Sequence, residues 1–185
     1  VTIDGDNIHN SDTIFALNSI PKTMAVIGGG IIGMEFACLF GSFGCKVRVI
    51  ELLPNIIPTE DHECSAELIR QTKKMKVQVT VNKKITKVTT EKQGCLVEIE
   101  GEEPSHFDKV LVAIGRQPVS DGLKLETLGV KTNHGFIPVD SHYQTTSPGV
   151  FAIGDVISTP ALAHTASAEA IHAVEVIAGK APSLI

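Results

Sequence analysis

A cluster of glycines near the start of the chain constrains its folding more than any other feature. Residues 28–33 read Gly-Gly-Gly-Ile-Ile-Gly, which satisfies the pattern G-x-G-x-x-G. An apolar run of strand length, 23–27, precedes the cluster, and a stretch with helical periodicity, 30–42, follows it. The pattern by itself is weak, but between a strand and a helix it is typical of a dinucleotide-binding turn. The sequence therefore predicts an α/β fold with a parallel sheet.

The glycines of this pattern have separate predicted roles. Gly28 allows the tight turn from strand to helix, and Gly33 lets the helix lie close to the sheet. Gly30 lacks a Cβ, so that a pyrophosphate can approach the backbone and rest on the unpaired N–H groups of the helix N-terminus. The alternative is a glycine-rich turn that serves packing only.

A carboxylate follows the turn at the spacing that such a site needs. Glu51 ends the predicted second strand, 46–51, and stands 23 positions after Gly28. A carboxylate there accepts hydrogen bonds from ribose hydroxyls and repels a 2′-phosphate. No Arg or Lys follows in Leu52, Leu53 and Pro54, so the sequence favours NAD over NADP. The alternative is an ordinary Glu at a strand end.

Two further acidic residues are candidates on weaker grounds. Glu35 is a carboxylate in an otherwise apolar helix, which indicates either the mouth of a site or a charge favoured by the helix dipole. Asp155 follows a predicted buried strand, 150–153, at the end where ligands of parallel sheets collect. It suits a sugar or polyol hydroxyl, and a simple Gly-Asp turn is the alternative.

The remaining patterns predict how the chain is organised. Strand, helix, strand and helix follow in order up to about residue 75, which predicts parallel strands with crossovers. Short alternating strands then predict an antiparallel β-meander at 77–81, 85–90 and 95–99. A strongly apolar strand, 107–114, is expected to return to the parallel sheet.

The two ends of the chain have simpler predictions. Residues 1–20 are expected to be an exposed lead-in, in which Asp12 or Ser11 caps a short helical turn. A loop-rich stretch, 118–148, precedes the predicted strand 150–153, and an alanine-rich helix, about 164–178, is capped by Gly179. We expect this tail to expose apolar surface and to be poorly ordered or self-associated.

Composition excludes several classes of function. The 185 residues are 43% hydrophobic and 20% charged, which is sufficient for a folded core. A net charge of -5 and 4% aromatic residues argue against nucleic-acid binding. The seven histidines and four cysteines lack metal-binding spacings, and the cysteines are expected to be free thiols in a reducing compartment.

A membrane span was the main structural alternative. From residue 23 to residue 45 the only charge is Glu35, and the run is long enough to cross a bilayer. Six glycines interrupt it, however, and a strand, a turn and a buried helix explain the same apolarity. No signal-peptide pattern is present at the N-terminus of this sequence.

Together, several segments resemble those of the flavoprotein disulfide reductases. They lie at 25–37, 110–118, 149–155 and 160–164, and the resemblance runs over nearly the whole chain. Their order and spacing are most similar to the branch of the family that oxidises dihydrolipoamide on the lipoyl domains of 2-oxoacid dehydrogenase complexes. The resemblance implies an oxidoreductase that uses NAD and FAD, a homodimer and a cytoplasmic location, with neither a membrane nor a nucleic acid as partner.

The resemblance also implies a division into domains. Residues 21–117 would form a Rossmann-type NAD-binding domain, whose parallel sheet carries the antiparallel β-meander as an insertion. Residues 1–20 would lead in from a preceding FAD domain, and residues 118–185 would be the C-terminal part of that split FAD-binding domain.

Site residues follow from the same resemblance, position by position. Those expected around the NAD pyrophosphate and nicotinamide are Gly28, Gly29, Gly30, Ile31, Ile32, Gly33, Met34 and Glu35. Glu51 would hold the adenosine ribose, Val88 would meet the adenine through its backbone, and Gly115 would lie beside the NAD. Asp155 would bind the flavin ribityl chain. The residues expected along the flavin ring edge are Ala161, Leu162, Ala163 and His164.

Departures from the family pattern are equally informative. The chain has one glycine motif where the family has two, lacks the C-x4-C redox disulfide, and stops before any C-terminal domain with a catalytic His–Glu pair. Residue 1 is Val. We therefore expect the central segment of such an enzyme, with no catalytic residue of its own and no turnover alone. The alternatives are another NAD(P)H-dependent disulfide reductase or NADH oxidase, an NADP enzyme, and a non-catalytic nucleotide-binding module.

Overall fold

The computed structural model describes residues 1–180. It divides the chain into two compact units, Val1–Gly115 and Arg116–Ile185. Residues 181–185, which end the predicted second domain, lie outside the described residues.

The first unit is a mixed α/β structure. Its elements in chain order are β1 (Ile8–His9), β2 (Thr23–Ile27), α1 (Ile31–Ser42), β3 (Lys46–Ile50), α2 (His62–Thr72), β4 (Val77–Thr80), β5 (Ile85–Thr90), β6 (Cys95–Ile99), β7 (Ser105–Phe107) and β8 (Lys109–Val112). The predicted parallel sheet and antiparallel insertion are both confirmed, since β1-β8-β2-β3-β4 form a parallel sheet and β5-β6-β7 an antiparallel one.

The strand order creates a switch point in the parallel sheet. From β2 the chain moves outward in one direction through α1 to β3 and through α2 to β4. It then returns to place β8 on the other side of β2. Ligands of such sheets bind in the crevice outside the carboxyl ends of the strands at this reversal. The crevice here lies beyond the ends of β2 and β8, where the glycine cluster begins.

Apolar side chains cover both faces of the parallel sheet. Met24 and Val26 point to the face packed by α1, and Ala25 and Ile27 point to the face packed by the meander. Residues of a strand alternate between faces, so a strand buried on both sides is apolar at every position. This explains why residues 24–27 form a continuous apolar run.

The predicted meander was wrong at both of its ends. Val77–Thr80 is β4 of the parallel sheet, because α2 acts as a crossover that returns the chain parallel to β3. The third meander strand is β7 instead. The predicted strand 107–114 is broken at Asp108, whose carboxylate accepts the N–H groups of Lys22 and Thr23 at 2.8 and 2.9 Å.

The prediction of an exposed lead-in was also wrong. Ile8, His9 and Ile14 are buried, and β1 forms the edge of the parallel sheet beside β8. The short helical turn exists at Thr13–Ala16, but Asn10 takes the role expected of Asp12 or Ser11, because its Oδ1 accepts the N–H of Thr13 at 2.9 Å.

The second unit is mostly irregular. Its small core consists of Val130, Ile137, Ala152 and Ile157. The predicted strand 150–153 is not a strand, since its only sheet-like contact in the described residues is a single bridge between Phe151 and Gln144. The predicted helix is α3 (Ala163–Ile177), and the N–H of Gly179, which has a φ of 69°, bonds back to Val176.

Helix α3 carries much of the exposed apolar surface of this unit. Ile171, Val174 and Ile177 are each more than three-fifths exposed. Among residues 1–180, no helix combines the length and apolarity needed to cross a bilayer.

Candidate functional site

The glycine cluster lies at the switch point of the sheet. Gly28 directly follows β2 and donates its N–H to the carbonyl of Ile50 at 2.9 Å. Its φ of 104° belongs to the left-handed region, and a Cβ there would overlap the carbonyl oxygen of Ala113. The loop after β2 therefore touches the loop after β8, and only glycine allows this approach.

Gly33 and Gly30 differ in what surrounds them. A Cβ on Gly33 would overlap the carbonyl oxygen of Gly28, so its absence lets α1 approach the end of β2. At Gly30, by contrast, no atom lies within 4 Å of the position a Cβ would take. The backbone of Gly30 thus borders open space, directly before the first residue of α1.

The N-terminus of α1 offers unpaired donors next to that space. The helix begins at Ile31, and its first bond back to the N-cap runs from the N–H of Met34 to the carbonyl of Gly30 at 2.9 Å. The N–H groups of Ile31, Ile32 and Gly33 precede that bond and have no partner within the helix. No acidic residue occupies the first turn, so the positive end of the helix dipole is open to attract an anion.

Glu51 is held against the glycine loop. Its side chain is 8% exposed, and its Oε2 accepts the N–H of Gly29 at 2.5 Å. Its Oε1 accepts the N–H of Leu53 at 2.7 Å. Each carboxylate oxygen has two lone pairs, so both can still accept from a ligand hydroxyl. The sequence predicted the position of this carboxylate but not its bond to Gly29.

The other residues predicted for the first unit lie at the edges of this arrangement. Glu35 is exposed on α1, and Gly115, with a φ of 126°, is exposed at the end of the loop that follows β8. Val88 lies on a different element, β5, where it is half-buried and opposite Val97. The structure therefore gathers the glycine cluster, Glu51 and the loop at 113–115 at the carboxyl edge of the sheet, and places Val88 in the meander.

The second unit brings together the other group of predicted residues. Asp155 lies on a 3₁₀ turn, Gly154–Val156, and its Oδ2 accepts from Nη1 of Arg116 at 2.9 Å. Nη2 of the same arginine donates to the carbonyl of Ala161 at 3.0 Å. The residues predicted along the flavin edge are exposed and include the first turn of α3: Ala161, Leu162, Ala163 and His164.

Sequence reasoning missed two residues that hold this turn. Arg116 stands inside one of the segments that carried the family resemblance, 110–118, but was given no role. Glu169 is 1% exposed on α3, and its Oε2 accepts the N–H of Gly154 at 2.7 Å. Its Oε1 is buried without a hydrogen-bond partner in the part of the chain that the structure describes. An acid between two alanines, Ala168 and Ala170, in a predicted helix was the available signal for Glu169.

The cysteines do not form a reactive pair. All four are free, and burial together with the charge of Asp108 raises the pKa of Cys45 to about 11. Burial also raises the pKa of Cys95 and Cys38. Within residues 1–180, no cluster of three or more histidine, cysteine or acidic side chains could hold a metal ion.

Comparison with known proteins gives consistent results. The family model for pyridine nucleotide-disulphide oxidoreductases matches residues 2–170. Dihydrolipoyl dehydrogenase from Chlorobaculum tepidum is 42% identical over 97% of this chain and 39% of its own length. The Bacillus subtilis protein of the same name is 38% identical over 97% of this chain and 39% of its own length.

Solved structures show the same likeness. LpdA from Mycobacterium tuberculosis superimposes with a TM-score of 0.90 at 26% identity, covering 98% of this chain and 40% of that one. The HOCl-induced flavoprotein disulfide reductase RclA from Escherichia coli gives 0.88 at 26% identity, covering 98% and 41%. The chain spans about two-fifths of the length of these relatives. With the family model matching most of its residues, the chain belongs to the pyridine nucleotide-disulphide oxidoreductase family.

Proposed function

We propose that this chain supplies the NAD-binding site, and part of the FAD site, of a dihydrolipoamide dehydrogenase. The observation that carries the proposal is the arrangement at the switch point, where the Glu51 carboxylate accepts the N–H of Gly29 beside the free N-terminus of α1. The names of the relatives at about 40% identity support the choice of enzyme within the family.

The cofactor would lie across the carboxyl edge of the parallel sheet. The N–H groups of α1 would bind the diphosphate, which the open space at Gly30 would admit. Glu51 would accept hydrogen bonds from the adenosine ribose, and the backbone of Val88 would meet the adenine. Glu35 would lie near the nicotinamide, and Gly115 would border the cofactor from the loop after β8.

Discrimination between NAD and NADP would rest on Glu51. A 2′-phosphate would place its negative charge against a carboxylate that is largely buried and already fixed by two N–H groups. The following residues, Leu52 and Leu53, carry no cation to offset that repulsion. The site should therefore prefer NADH.

Titration of the purified chain with NADH and NADPH tests this preference directly. We expect NADH to bind at least about tenfold more tightly, a difference of about 1.4 kcal/mol. Glu51→Arg should shift the preference towards NADPH, whereas the exposed Glu67→Arg on α2 should leave it unchanged. Tighter binding of NADPH by the unaltered chain would contradict the proposal.

The second unit would contribute to the FAD site. Asp155 would accept from the ribityl hydroxyls, and the segment 161–164 would lie along the flavin ring. FAD, when bound, supplies the two-electron relay between a redox disulfide and NAD. In the complete enzyme, dihydrolipoamide would be oxidised to lipoamide while NAD⁺ is reduced to NADH with release of a proton.

We further propose that this chain is inactive by itself. It contains neither the C-x4-C pair nor the His–Glu pair that the family uses, so electrons from dihydrolipoamide would have no path to NAD. The measurement is the visible spectrum of the purified chain, together with an assay of NAD reduction by dihydrolipoamide. NADH binding without turnover is expected, and turnover by the 185-residue chain would overturn this part of the proposal.

The complete enzyme would be a homodimer that receives dihydrolipoamide from the lipoyl domains of 2-oxoacid dehydrogenase complexes. The four free thiols fit a reducing compartment, and we propose the cytoplasm.

A second candidate is a flavoprotein disulfide reductase with another substrate. The likeness to RclA, at a TM-score of 0.88, favours it as the alternative. Assaying the complete protein with dihydrolipoamide and with other disulfide substrates separates the two. Reduction of NAD by dihydrolipoamide supports the first candidate, and its absence alongside another disulfide reductase activity supports the second.

A further inference from the structure

We infer that Arg116 is a positioning residue that fastens together the two flavin-contacting segments of the second unit. The inference rests on the proposed function, because the flavin role of these segments does. Arg116 is the first residue of the second unit and directly follows Gly115, the last predicted residue of the NAD site. Its guanidinium joins the turn that bears Asp155 to the segment that begins at Ala161.

The two bonds of Arg116 reach different segments of chain. Nη1 donates to Oδ2 of Asp155 at 2.9 Å, across 39 positions of sequence, and Nη2 donates to the carbonyl of Ala161 at 3.0 Å, across 45 positions. A guanidinium presents its donors in a rigid planar fork, so that one bond fixes the direction of the other. The arginine therefore sets the spacing between the Asp155 carboxylate and the Ala161 carbonyl.

This arrangement leaves Asp155 able to bind a ligand. Only Oδ2 is used by Arg116, and Oδ1 has no hydrogen-bond partner among the residues that the structure describes. An ionised carboxylate accepts hydrogen bonds through both oxygens. Arg116 thus orients the carboxylate through one oxygen and leaves the other for a hydroxyl of the ribityl chain.

The backbone of the same turn is held from within the unit. Glu169 on α3 accepts the N–H of Gly154, the residue before Asp155, at 2.7 Å. The main chain of the turn is therefore fixed by a buried carboxylate, while the side chain of Asp155 is fixed by an arginine. Because Glu169 already anchors the backbone of the turn, Arg116 adds the orientation of the Asp155 carboxylate and its link to the segment at Ala161.

The exposure of the Arg116 pair separates a role in positioning from a role in stability. The side chains of Arg116 and Asp155 are 54% and 57% exposed, and ion pairs that open to solvent contribute little to folding. Arg70 and Glu67 on α2 form a matched pair, at 62% and 53% exposure, far from any predicted ligand residue in sequence. Replacing Arg116 should therefore change flavin binding with little change in the unfolding temperature of the FAD-free protein, and replacing Arg70 should change neither.

The test uses the complete natural protein with FAD bound. Arg116→Gln is expected to weaken FAD binding about tenfold, because a charge-assisted bond to Asp155 and a bond to Ala161 are both lost. Arg116→Lys should lie between Gln and the unaltered protein, because an ammonium group lacks the planar fork that spans both acceptors. NADH affinity should stay within about twofold in both variants, and Arg70→Gln should bind FAD normally.

Two further measurements distinguish a positioning role of Arg116 from a general structural role. The visible circular dichroism of the bound flavin should change in Arg116→Gln, since the ribityl contact is reoriented. In a double-mutant cycle, Arg116→Gln should have much less effect on FAD affinity when Asp155 is already Asn.

The outcomes that would overturn the inference are separate from those that would overturn the proposed flavin site. Wild-type FAD affinity in Arg116→Gln, with weakened binding in Asp155→Asn, overturns the inference alone. A fall in the unfolding temperature of Arg116→Gln measured after removal of FAD assigns Arg116 a merely structural role and also overturns it. Unchanged FAD affinity in Asp155→Asn overturns the proposed flavin contact, and the inference with it.

Discussion

The two units hold their candidate ligand-binding carboxylates by different means. Glu51 stands at the end of β3, is 8% exposed, and has each oxygen bound by a backbone N–H. Asp155 stands on a short turn, is more than half exposed, and has one oxygen bound by the side chain of Arg116. The first carboxylate is fixed by main chain that the sheet itself orders. The second depends on side chains from distant parts of the sequence.

The difference has consequences for which substitutions matter. A site whose ligand groups are held by the backbone is sensitive to any substitution that displaces the sheet or the helix. A site held by side chains is sensitive to the loss of individual hydrogen-bond partners.

The largest effect is expected at Gly33, where helix and strand meet. In Gly33→Ala the new Cβ would overlap the carbonyl oxygen of Gly28, and backbone on both sides prevents relief by a side-chain movement. The free energy of unfolding should fall by about 3 kcal/mol, as in severe overpacking of a core. Urea denaturation followed by circular dichroism measures this. An unfolding midpoint equal to that of the unaltered chain would show that α1 is not packed as closely as the structure has it.

A smaller effect is expected for the buried carboxylate of the second unit. In Glu169→Ala the N–H of Gly154 loses its acceptor, and a buried cavity replaces the side chain. The unpaired, partly buried donor and the cavity together should lower the free energy of unfolding by about 2 kcal/mol. Glu169→Gln retains an acceptor oxygen and nearly the same volume. Its free energy of unfolding should therefore fall clearly less than that of Glu169→Ala.

Hydrogen exchange at the Gly154 amide locates the effect of Glu169. Protection of this amide should decrease strongly in Glu169→Ala, while the amides of β2 and β3 in the first unit keep theirs. If the Gly154 amide is equally protected in the Ala and Gln variants, the Glu169 carboxylate does not hold this turn.

At Gly30 we expect a loss of ligand binding without a comparable loss of stability. No atom lies within 4 Å of the position of a Cβ, and the backbone φ of -69° suits any residue. Gly30→Ala should therefore change the unfolding free energy by less than about 1 kcal/mol. NADH affinity should fall at least about tenfold, because the methyl group occupies the space proposed for the diphosphate. Isothermal titration with NADH checks this, and unchanged affinity would place the diphosphate elsewhere.

These contrasts also explain how much could be predicted from sequence. Periodicity and spacing were enough to predict the strand β2, the helix α1 and the position of Glu51. Each of these depends on residues within about one supersecondary unit. The placement of β4 did not, since the apolar alternation at 77–81 is compatible with either sheet, and the crossover geometry of α2 decides between them.

Contacts distant in sequence account for the other failures. The buried Ile8 and Ile14 belong to an edge strand and a short turn that only the position of β8 makes possible. Nothing local marks Arg116 as the partner of Asp155, because the bond spans 39 positions. In the second unit, where few backbone hydrogen bonds repeat regularly, such contacts determine the structure, and sequence periodicity carries little information.

The smallest effect concerns a third carboxylate, which is held by backbone as Glu51 is but lies at the surface. Oδ1 of Asp4 accepts backbone N–H groups before β1, at 2.8 to 2.9 Å, from Asp6, Asn7 and Ile8. Desolvation raises its pKa, but these bonds, together with one from the Thr90 hydroxyl to Oδ2 at 3.1 Å, outweigh it and lower the pKa to about 2. If backbone hydrogen bonds to an exposed carboxylate stabilise the fold, Asp4 should make a measurable contribution to the free energy of unfolding, and that contribution should depend on pH.

The sign of that dependence follows from the direction of the shift. A pKa below the ordinary value of 3.8 means that the ionised form is favoured in the folded chain. Its stabilisation is therefore complete above about pH 4 and is lost as the pH falls through about 2.

Because the side chain is exposed, solvent screening limits the contribution to about 1 kcal/mol. Asp4→Asn should be less stable than the unaltered chain by that amount at pH 7, and the difference should shrink as the pH falls towards 2. Asp12→Asn serves as the control, since Asp12 accepts only a side-chain bond from Asn10, at 3.3 Å, and the variant should show no such pH-dependent difference. A difference for Asp4→Asn that stays constant from pH 7 to pH 2 would show that the backbone N–H groups do not favour its charge, and would confine the benefit of backbone-held carboxylates to buried positions such as Glu51.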